Sequence, residues 1–572
     1  MQALPVDIHH VSFSRKGAYL CITGRNEAQC RDNPHLHIRP GLWLRNFHDE
    51  GRRDVFLLEP VRDGAALPCT PELSPDELCL RVDGGGTVRL CLSAAETLRI
   101  RVEGASLRLS MLAHLGGGEF RIGANAWRVN CPGALRDYTI CSVTGSVAVD
   151  RARRDERDYV DVSVAPSGGA TAAEAVLIQS KGQAELPETW PAYESARQAV
   201  RDDFEAFHRR NADVPPELAD TARLAAYVNW SSFIAPCGNM TREGMLMSKN
   251  WMGNIWSWDH CFNGIALAEV DPDAAWDQFM VIFDHQLETG QIPDMINDTT
   301  LQYNFLKPPI HGWAYDLMMR LNDAFSAPDR LETAYRHLSR WSLWWLAHRD
   351  PDGAFLPQYH HGNDSGWDNG TVFDIGYPVQ GPDLAGFLVQ QMDILADIAG
   401  RLSRPSEAAG WRRRGDRVAE ALLDTLWTGD RFVTRHALTG EVNEESHALI
   451  NCIPIVIAHR LPNEVRNAVL DRICEHLTEW GLATEHPDSI LYTPDGYWRG
   501  PVWPAPTFIL IDTLRTAGET ELANTIADRF VKMCVNSGFS ENYNALTGEA
   551  LRDQSYTWSS SLFLLLARER MR

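Results

Sequence analysis

No stretch of this sequence approaches the roughly 20 consecutive apolar residues that cross a bilayer, so no membrane span is expected. No secretory leader is expected from these residues either: "MQALPVDIHHVSFSRKG" is broken by Pro5, Asp7, His9 and His10 before an apolar segment can build. Positive charge is short. With 54 Lys and Arg against 76 Asp and Glu, the formal net charge is −22. That balance argues against nucleic acid or an anionic membrane as partner, since both require a basic face, and leaves a small neutral or cationic ligand open. The 12 cysteines, scattered from Cys21 to Cys534, include no CxxC pair and no dense framework. They fit reduced, mostly buried thiols in a cytoplasmic protein better than a disulfide scaffold or a zinc site. A DxDxDG loop is absent too, so Asp294 and Asp298 make a weak calcium site and no metal is expected.

What is present divides into two textures. At 572 residues the chain is too long for one ordinary hydrophobic core, and two domains are expected. From Met1 to about Gly182 it reads in short alternating runs broken by Gly, Asp and Pro. "TVRLCLSAAETLRIRVEGASLRLSML" (Thr87–Leu112) and "YVDVSVAPSGG" (Tyr159–Gly169) alternate as half-buried antiparallel strands do, with glycine runs at Gly84–Gly86 and Gly116–Gly118. This predicts a β-sandwich over residues 1–190. Glu194 to Arg210 has helical spacing and many charges, which suits a linker helix within 191–215, and Pro215–Pro216 opens the next domain.

From there to residue 572 the apolar period is helical. "DTARLAAYVNWSSFI", "RLETAYRHLSRWSLWWLAH", "PDLAGFLVQQMDILADIAGRL" and "SHALINCIPIVIAHRL" are among the segments repeating at three and four residues. About a dozen such helices with almost no strand signal and no fixed-length repeat predict a closed ring of paired helices. The fold class is therefore multidomain: an N-terminal antiparallel β-sandwich followed by an all-α (α/α)6 barrel. Its long connections, Thr289–Pro309 and Gly353–Pro382, are where a site belongs.

Trp43, Trp127 and Trp190 apart, all 19 tryptophans follow Pro216. Trp341, Trp344, Trp345 and Trp411 stand at helical spacing and read as helix packing. Trp251, Trp256, Trp258, Trp367, Trp498 and Trp503 stand instead in polar, glycine-bearing loops beside carboxylates. Flat apolar rings with a few placed polar groups suit a sugar, which has apolar C–H faces and a girdle of hydroxyls. Cleaving a glycosidic bond takes two carboxyl groups, one to protonate the leaving oxygen and one to activate water or attack. Asp259, Asp294, Asp364, Asp368, Asp374, Glu485, Asp495, Glu541 and Glu549 are loop candidates. The ordinary role of any one of them is a helix cap or a solvated charge, and spacing alone selects no pair.

"WMGNIWSWDHCF", "TGQIPDMI", "KPPIHGWAYDLM", "NDSGWDNGTVFD", "YWRGPVWP" and "FSENYNALTGEAL" follow one another in this order. Over roughly Trp251–Trp558 the chain resembles the catalytic domains of glycoside hydrolase family 63 and the related trehalases of family 37, a clan of inverting α-glycosidases on an (α/α)6 barrel. The resemblance implies Asp368 as general acid and Glu541 as general base, with no organic cofactor. Trp367 beside Asp368 would keep water away and raise its pKa. It further implies a sugar subsite built from Trp256, Trp258, Asp259, Gln291, Asp294, Trp367, Trp498, Arg499, Trp503 and Tyr543. Asp364 stands where the family usually has Glu, one methylene longer, and belongs to the same set with a changed reach. Arg499 has an equal alternative as an ion pair pinning the helix near Pro501. His311 reads as a loop anchor, and Asp383 as an N-terminal helix charge.

The implied activity is an inverting exo-acting α-glycosidase on an α-glucoside or short α-gluco-oligosaccharide. Trehalose, glucosylglycerate, mannosylglycerate and non-glucose α-glycosides fall within the same chemistry. A sugar epimerase or isomerase on the same barrel would shuttle a proton between histidines, which show no paired placement in these segments. A non-catalytic sugar-binding protein has no reason to keep both carboxylates.

Overall fold

The structure, a computed structural model, describes residues 4–32, 38–48 and 53–571. The alternating stretch Thr87–Leu112 forms three strands, Thr87–Ala94, Thr97–Glu103 and Ser106–Leu112, whose Leu90, Leu98, Ile100, Leu107 and Leu109 are fully buried. The first two lie in an eight-stranded antiparallel sheet, ordered Gly118–Gly123, Ala126–Cys131, Arg136–Thr144, Ala172–Ser180, Thr97–Glu103, Thr87–Ala94, Glu77–Val82, Cys69–Ser74. The third crosses into a seven-stranded sheet with Leu20–Arg25, Gly41–Asn46, Asp54–Arg62, Arg157–Ala165 and Ser146–Arg154, the short Ala65–Ala66 pairing at its side. Gly86 makes the turn possible: at φ +105°, a Cβ there would stand 2.8 Å from the Glu103 carbonyl oxygen. The apolar faces of both sheets meet in one core, which is the expected sandwich.

Tyr193–Arg210 is helical and buries Tyr193, Val200, Phe204 and Phe207 along one stripe. Towards the sandwich, Arg197 and Arg201 reach Asp76 at 2.9 and 2.8 Å, and the Tyr193 hydroxyl donates to Glu77 at 3.0 Å. Towards the helical part, Arg223 donates to Glu205 at 2.7 Å and the Trp230 indole to Asp203 at 2.9 Å. The helix is fastened on both sides.

Among the described residues, six buried segments form an inner ring: Asp259–Leu267, His311–Leu321, Pro382–Arg401, Leu449–Ile457, Pro504–Thr516 and Thr557–Glu569. Each touches the next, and the last closes onto the first. Outside them pack Pro272–Met280, Pro328–His348, Pro405–Leu426, Asn463–Glu475, Thr520–Ser537 and, against the last inner helix, Ala219–Ser232. The division follows composition. Thr557–Glu569 is buried almost throughout, as an inner helix must be, whereas Pro405–Leu426 buries only Ala408, Trp411, Gly415, Val418, Leu422 and Leu426 and turns its arginines outward. Trp341, Trp344 and Trp345 pack together at 5.2–5.6 Å between ring centroids, and Trp411 is buried against the same layer, as their spacing predicts.

One expectation needs correction. "LINCIPIVI" is a 3₁₀ helix, Leu449–Ile457, rather than an α-helix, because Pro454 inside it has no N–H for an α-helical bond and crowds the preceding turn. Asp383 stands in the first turn of Pro382–Arg401, where the sequence places it. It is buried, accepts the Tyr359 hydroxyl at 2.7 Å, and burial raises its pKa to about 7.

The sandwich grips the barrel through Lys249–Trp251. Arg45 donates to the Asn250 carbonyl at 2.5 Å, Arg25 to the Asn250 side chain at 3.1 Å, and the Arg25 guanidinium lies 4.0 Å from the centre of the Trp251 ring. Lys249 is buried among the Ala18 and Phe233 carbonyls at 2.5 and 3.0 Å. One carboxylate, Asp54, pairs with both Arg25 and Arg45, at 3.3 and 3.0 Å. Asp54→Ala leaves two buried guanidinium groups facing each other and should destabilise the protein by about 3–5 kcal/mol. Denaturant unfolding measures this, and a change under about 0.5 kcal/mol would mean that Asp54 does not hold the pair.

Candidate active site

The rim loops converge over the N-terminal ends of the inner helices and enclose a cavity of about 210 Å³. Trp256, Trp258 and Asp259 enter from the first inner helix and the segment before it, and Tyr556 and Trp558 from the start of the sixth. Tyr497, Trp498 and Trp503 come from the approach to the fifth, Glu541 from the loop before the sixth, and Asp368 from the loop before the third. Lys307, Met252, Asn363 and Gly366 complete the lining.

One wall is aromatic. Trp498 and Trp503 stack at 3.7 Å and 9°, and Trp558 stands nearly perpendicular to Trp503 and to Trp258 at 5.7 and 6.1 Å. Their polar edges are tied back to main chain, Trp503 to the Tyr497 carbonyl at 2.8 Å and Trp558 to the Glu541 carbonyl at 3.2 Å. The rings are thus held in place for a ligand's apolar face.

Three carboxyl groups face this wall. Burial raises the pKa of Asp368, against the pull of Lys307, His361 and Tyr497. Burial and the Asp553 charge lift Glu541 to about 8, opposed by the Tyr497 hydroxyl, which donates to its Oε1 at 3.1 Å. Burial lifts Asp259 to about 7, opposed by the Tyr556 hydroxyl at 2.9 Å and by Lys307. Lys307 is the one cation among the described lining residues. Its Nζ donates to Asp294 at 2.8 Å and to the Asn363 and Leu306 carbonyls at 3.0 and 3.3 Å. Three carboxyls to one ammonium is an acid-rich balance, and their protons belong to the cluster as a whole.

Tyr497 was missed in the sequence, and its backbone marks it. At φ 65° it occupies the left-handed region, where a bulky non-glycine residue is an outlier that persists only when its surroundings enforce it. The enforcement is visible. Asn369, next to Asp368, donates to the Gly496 carbonyl at 3.1 Å and accepts the Trp498 N–H at 3.0 Å, so the two loops are stitched across the pocket.

Of the residues expected from the motifs, Trp256, Trp258, Asp259, Asp368, Trp498, Trp503 and Glu541 line the cavity. The other six stand behind it. Asp364 does not reach towards a ligand: its oxygens accept the Leu306 and His360 N–H groups at 3.0 and 2.9 Å and Arg349 at 2.9 Å. Asp294 is taken by Lys307, and Gln291 donates to the Tyr303 carbonyl at 2.8 Å. Arg499 is an ion pair with Asp374 and also donates to the Asn369 carbonyl at 2.9 Å. Trp367 is packed on Trp498 at 4.8 Å, and the Tyr543 hydroxyl donates to the Gly538 carbonyl at 2.7 Å beneath the Glu541 loop. Asp298 Oδ2 is held by the His48 ring at 2.6 Å and by Arg136 at 3.4 Å. Lys307 and Tyr497 open two of the quoted motifs and Tyr556 lies just before Trp558, but neither residue type nor spacing separates them from structural lysines and tyrosines.

The fold and site together define a glycoside hydrolase of the (α/α)6 class, and the comparisons with known proteins agree. The family model of the mannosylglycerate hydrolase MGH1-like glycoside hydrolase domain matches residues 252–559, more than half of the chain. The chain belongs to that family. It is 23% identical over 441 residues to a mannosylglycerate hydrolase of Rubrobacter radiotolerans, covering 61% of this chain and 96% of the relative. To a glucosylglycerate hydrolase of Mycolicibacterium hassiacum it is 21% identical over 422 residues, covering 57% and 94%. Among solved structures, the GH63 mannosylglycerate hydrolase of Thermus thermophilus in complex with glucose superposes with a TM-score of 0.53 at 20% identity, over 59% of this chain and 98% of that one. A bacterial glucoamylase complexed with acarbose gives a TM-score of 0.65 at 12% identity over 100% of this chain and 95% of its own, sandwich included. The family 63 likeness and the two-part fold read from the sequence are borne out.

Glu541 also predicts a pH effect on stability. Below its ordinary pKa of 4.5, folded and unfolded chains both carry the proton, and burial costs nothing on this account. As pH rises towards about 8 the unfolded chain ionises while the pocket holds its proton, so the native state loses stability, and above about 8 the loss is complete. Glu541→Gln should therefore stabilise the fold by roughly 1–3 kcal/mol at pH 8 and hardly at all near pH 4.5. Melting curves at the two pH values read the difference, and an equal effect at both would contradict the shifted pKa.

Proposed function

We propose that the protein is an inverting α-glycosidase acting on a small glycoside of glycerate, with Asp368 as general acid and Glu541 as general base. The observation carrying this reading is that both motif carboxyls line one cavity, faced by a fixed aromatic wall and coupled through Tyr497. In an inverting reaction Asp368 protonates the glycosidic oxygen while Glu541 takes a proton from the water that attacks the opposite face of the sugar. The competent form has Asp368 protonated and Glu541 ionised, and the Tyr497 O–H bond favours the ionised base against the burial that holds its proton. Asp259, buried beside Trp258, is assigned to a sugar hydroxyl. Asp364, Asp294, Arg499, Trp367, Gln291 and Tyr543 are assigned to holding the loops.

The substrate assignment departs from the α-glucan reading. About 210 Å³ is below the roughly 300–1,000 Å³ of pockets for drug-sized ligands, which favours one sugar ring with a compact aglycone. The named relatives support glycerate as that aglycone and leave mannose and glucose as the two sugars to compare. Residues 1–190, 191–215 and 216–572 serve on this reading as sandwich, linker helix and catalytic barrel. Among the described residues the twelve cysteines form no disulfide, which supports a reducing, cytoplasmic setting.

A panel of α-mannosylglycerate, α-glucosylglycerate, trehalose and maltose, followed by NMR, tests the proposal. Cleavage of a glycerate glycoside with the β-anomer appearing first is the expected result. Initial release of the α-anomer would overturn inversion, and preference for maltose would overturn the aglycone assignment.

The two carboxyls should also separate by leaving group. Asp368→Asn should nearly abolish cleavage of the natural glycoside yet spare much of the activity on a glycosyl fluoride, which needs no proton to depart. Glu541→Gln should depress both alike, by on the order of 10²–10⁴. Equal losses for Asp368→Asn on both substrates would remove the acid role from it.

A further inference from the structure

Next to Asp259, but outside the pocket lining, the structure gathers three fully buried side chains. His260 and Cys261 come from the first inner helix and His311 opens the second, and their ligand atoms all lie within 4.8 Å of one another. The sequence showed no histidine pairing, yet the His260 and His311 rings are 5.4 Å apart. Hydrolysis by the two carboxyls makes no use of them.

We propose that His260, Cys261 and His311 bind one zinc(II) ion that ties the first two inner helices together beneath Trp258 and Asp259. One thiol and two imidazoles are a zinc donor set. A tetrahedral ion with Zn–S about 2.3 Å and Zn–N about 2.0–2.1 Å sets sulfur and nitrogen about 3.6 Å apart, and the His260 Nε2 to Cys261 Sγ distance is 3.7 Å. His260 Nδ1 is 3.1 Å from the Trp256 carbonyl, the outer contact that leaves Nε2 with its lone pair for a metal.

The second observation is a set of orphaned polar atoms. Neither ring nitrogen of the buried His311 makes a hydrogen bond of normal geometry, although the Ser257 carbonyl lies close by. The Ser257 hydroxyl, also buried, has no partner either. Unsatisfied buried polar groups are uncommon enough to call for a ligand, and an ion at this cluster would take up one of the His311 ring nitrogens. On binding, the Cys261 thiol gives its proton to solvent and the thiolate sulfur donates its pair to the ion. The Phe279 carbonyl also lies within hydrogen-bonding reach of the His260 ring, and a ring proton kept for it competes with the metal.

Elemental analysis of the purified full chain should find about one zinc per molecule. Cys261→Ser and His311→Gln should each bring it near zero, while Cys474→Ser, at an exposed cysteine, should leave it unchanged. Should those variants fail to fold, the wild-type chain suffices. Stripping zinc with a chelator should lower the melting temperature and added zinc restore it, and cobalt(II) in its place should show a thiolate-to-metal charge-transfer band. A protein that is metal-free as purified and takes up no zinc or cobalt on dialysis overturns the proposal. So does zinc retained at full stoichiometry in Cys261→Ser.

Discussion

Everything near the pocket depends on keeping Asp259 and Glu541 buried and Asp368 half-buried beside a single ammonium, that of Lys307, among the described lining residues. Buried carboxyls in such an excess hold protons at a pH where free ones would not. This is the condition a glycosidase needs, since one of its two carboxyls must give a proton away near neutrality. The same condition is costly to folding, so the surroundings must leave the groups no means of relaxing towards solvent. The aromatic wall excludes water on one side. Hydroxyls of Tyr497 and Tyr556 satisfy Glu541 and Asp259 without adding charge.

Rigidity is supplied in layers. Asp364 and Arg349 clamp the turn before Asp368, and Asn369 ties that turn to the Tyr497 loop. On the Glu541 side, Asp553 accepts the Trp251 and Met252 N–H groups at 2.9 and 3.1 Å, while its own carbonyl accepts the Glu541 N–H at 2.7 Å. Residues 250 and 251 are in turn held by Arg25, Arg45 and Arg53 of the sandwich. Among the described residues the first domain lends no side chain to the lining, but it braces the stretch of chain from which the Glu541 loop hangs. That is a physical reason for the match to the bacterial glucoamylase fold to extend over both parts of the chain.

Much of this was legible in the residues. Helical periodicity disclosed the ring, because inner and outer helices must bury whole faces or single stripes, and β-alternation disclosed the sandwich. The motif carboxyls and tryptophans were legible because sugar chemistry restricts what can line such a cavity. Contacts that pair distant loops were not. Asp364 and Asp294 look like ligand-facing acids in one dimension, and only the fold reveals Arg349 and Lys307 already beside them. Tyr497 was invisible for the opposite reason, since its backbone strain and its bond to Glu541 exist only once the loops are assembled. Pro454 shows a local rule, no proline inside an α-helix, prevailing over an apolar period that read as α-helical.

The central claim is spatial: Asp368 and Glu541 flank one scissile bond from opposite sides of a bound sugar. A crystal structure of Glu541→Gln with an intact α-glycoside of glycerate tests it most directly. The account predicts the glycosidic oxygen within about 2.6–3.2 Å of an Asp368 carboxyl oxygen, and a water between residue 541 and the anomeric carbon on the other face. A glycoside bound with Asp368 turned away from that oxygen, or with both carboxyls on the same face of the ring, would contradict it.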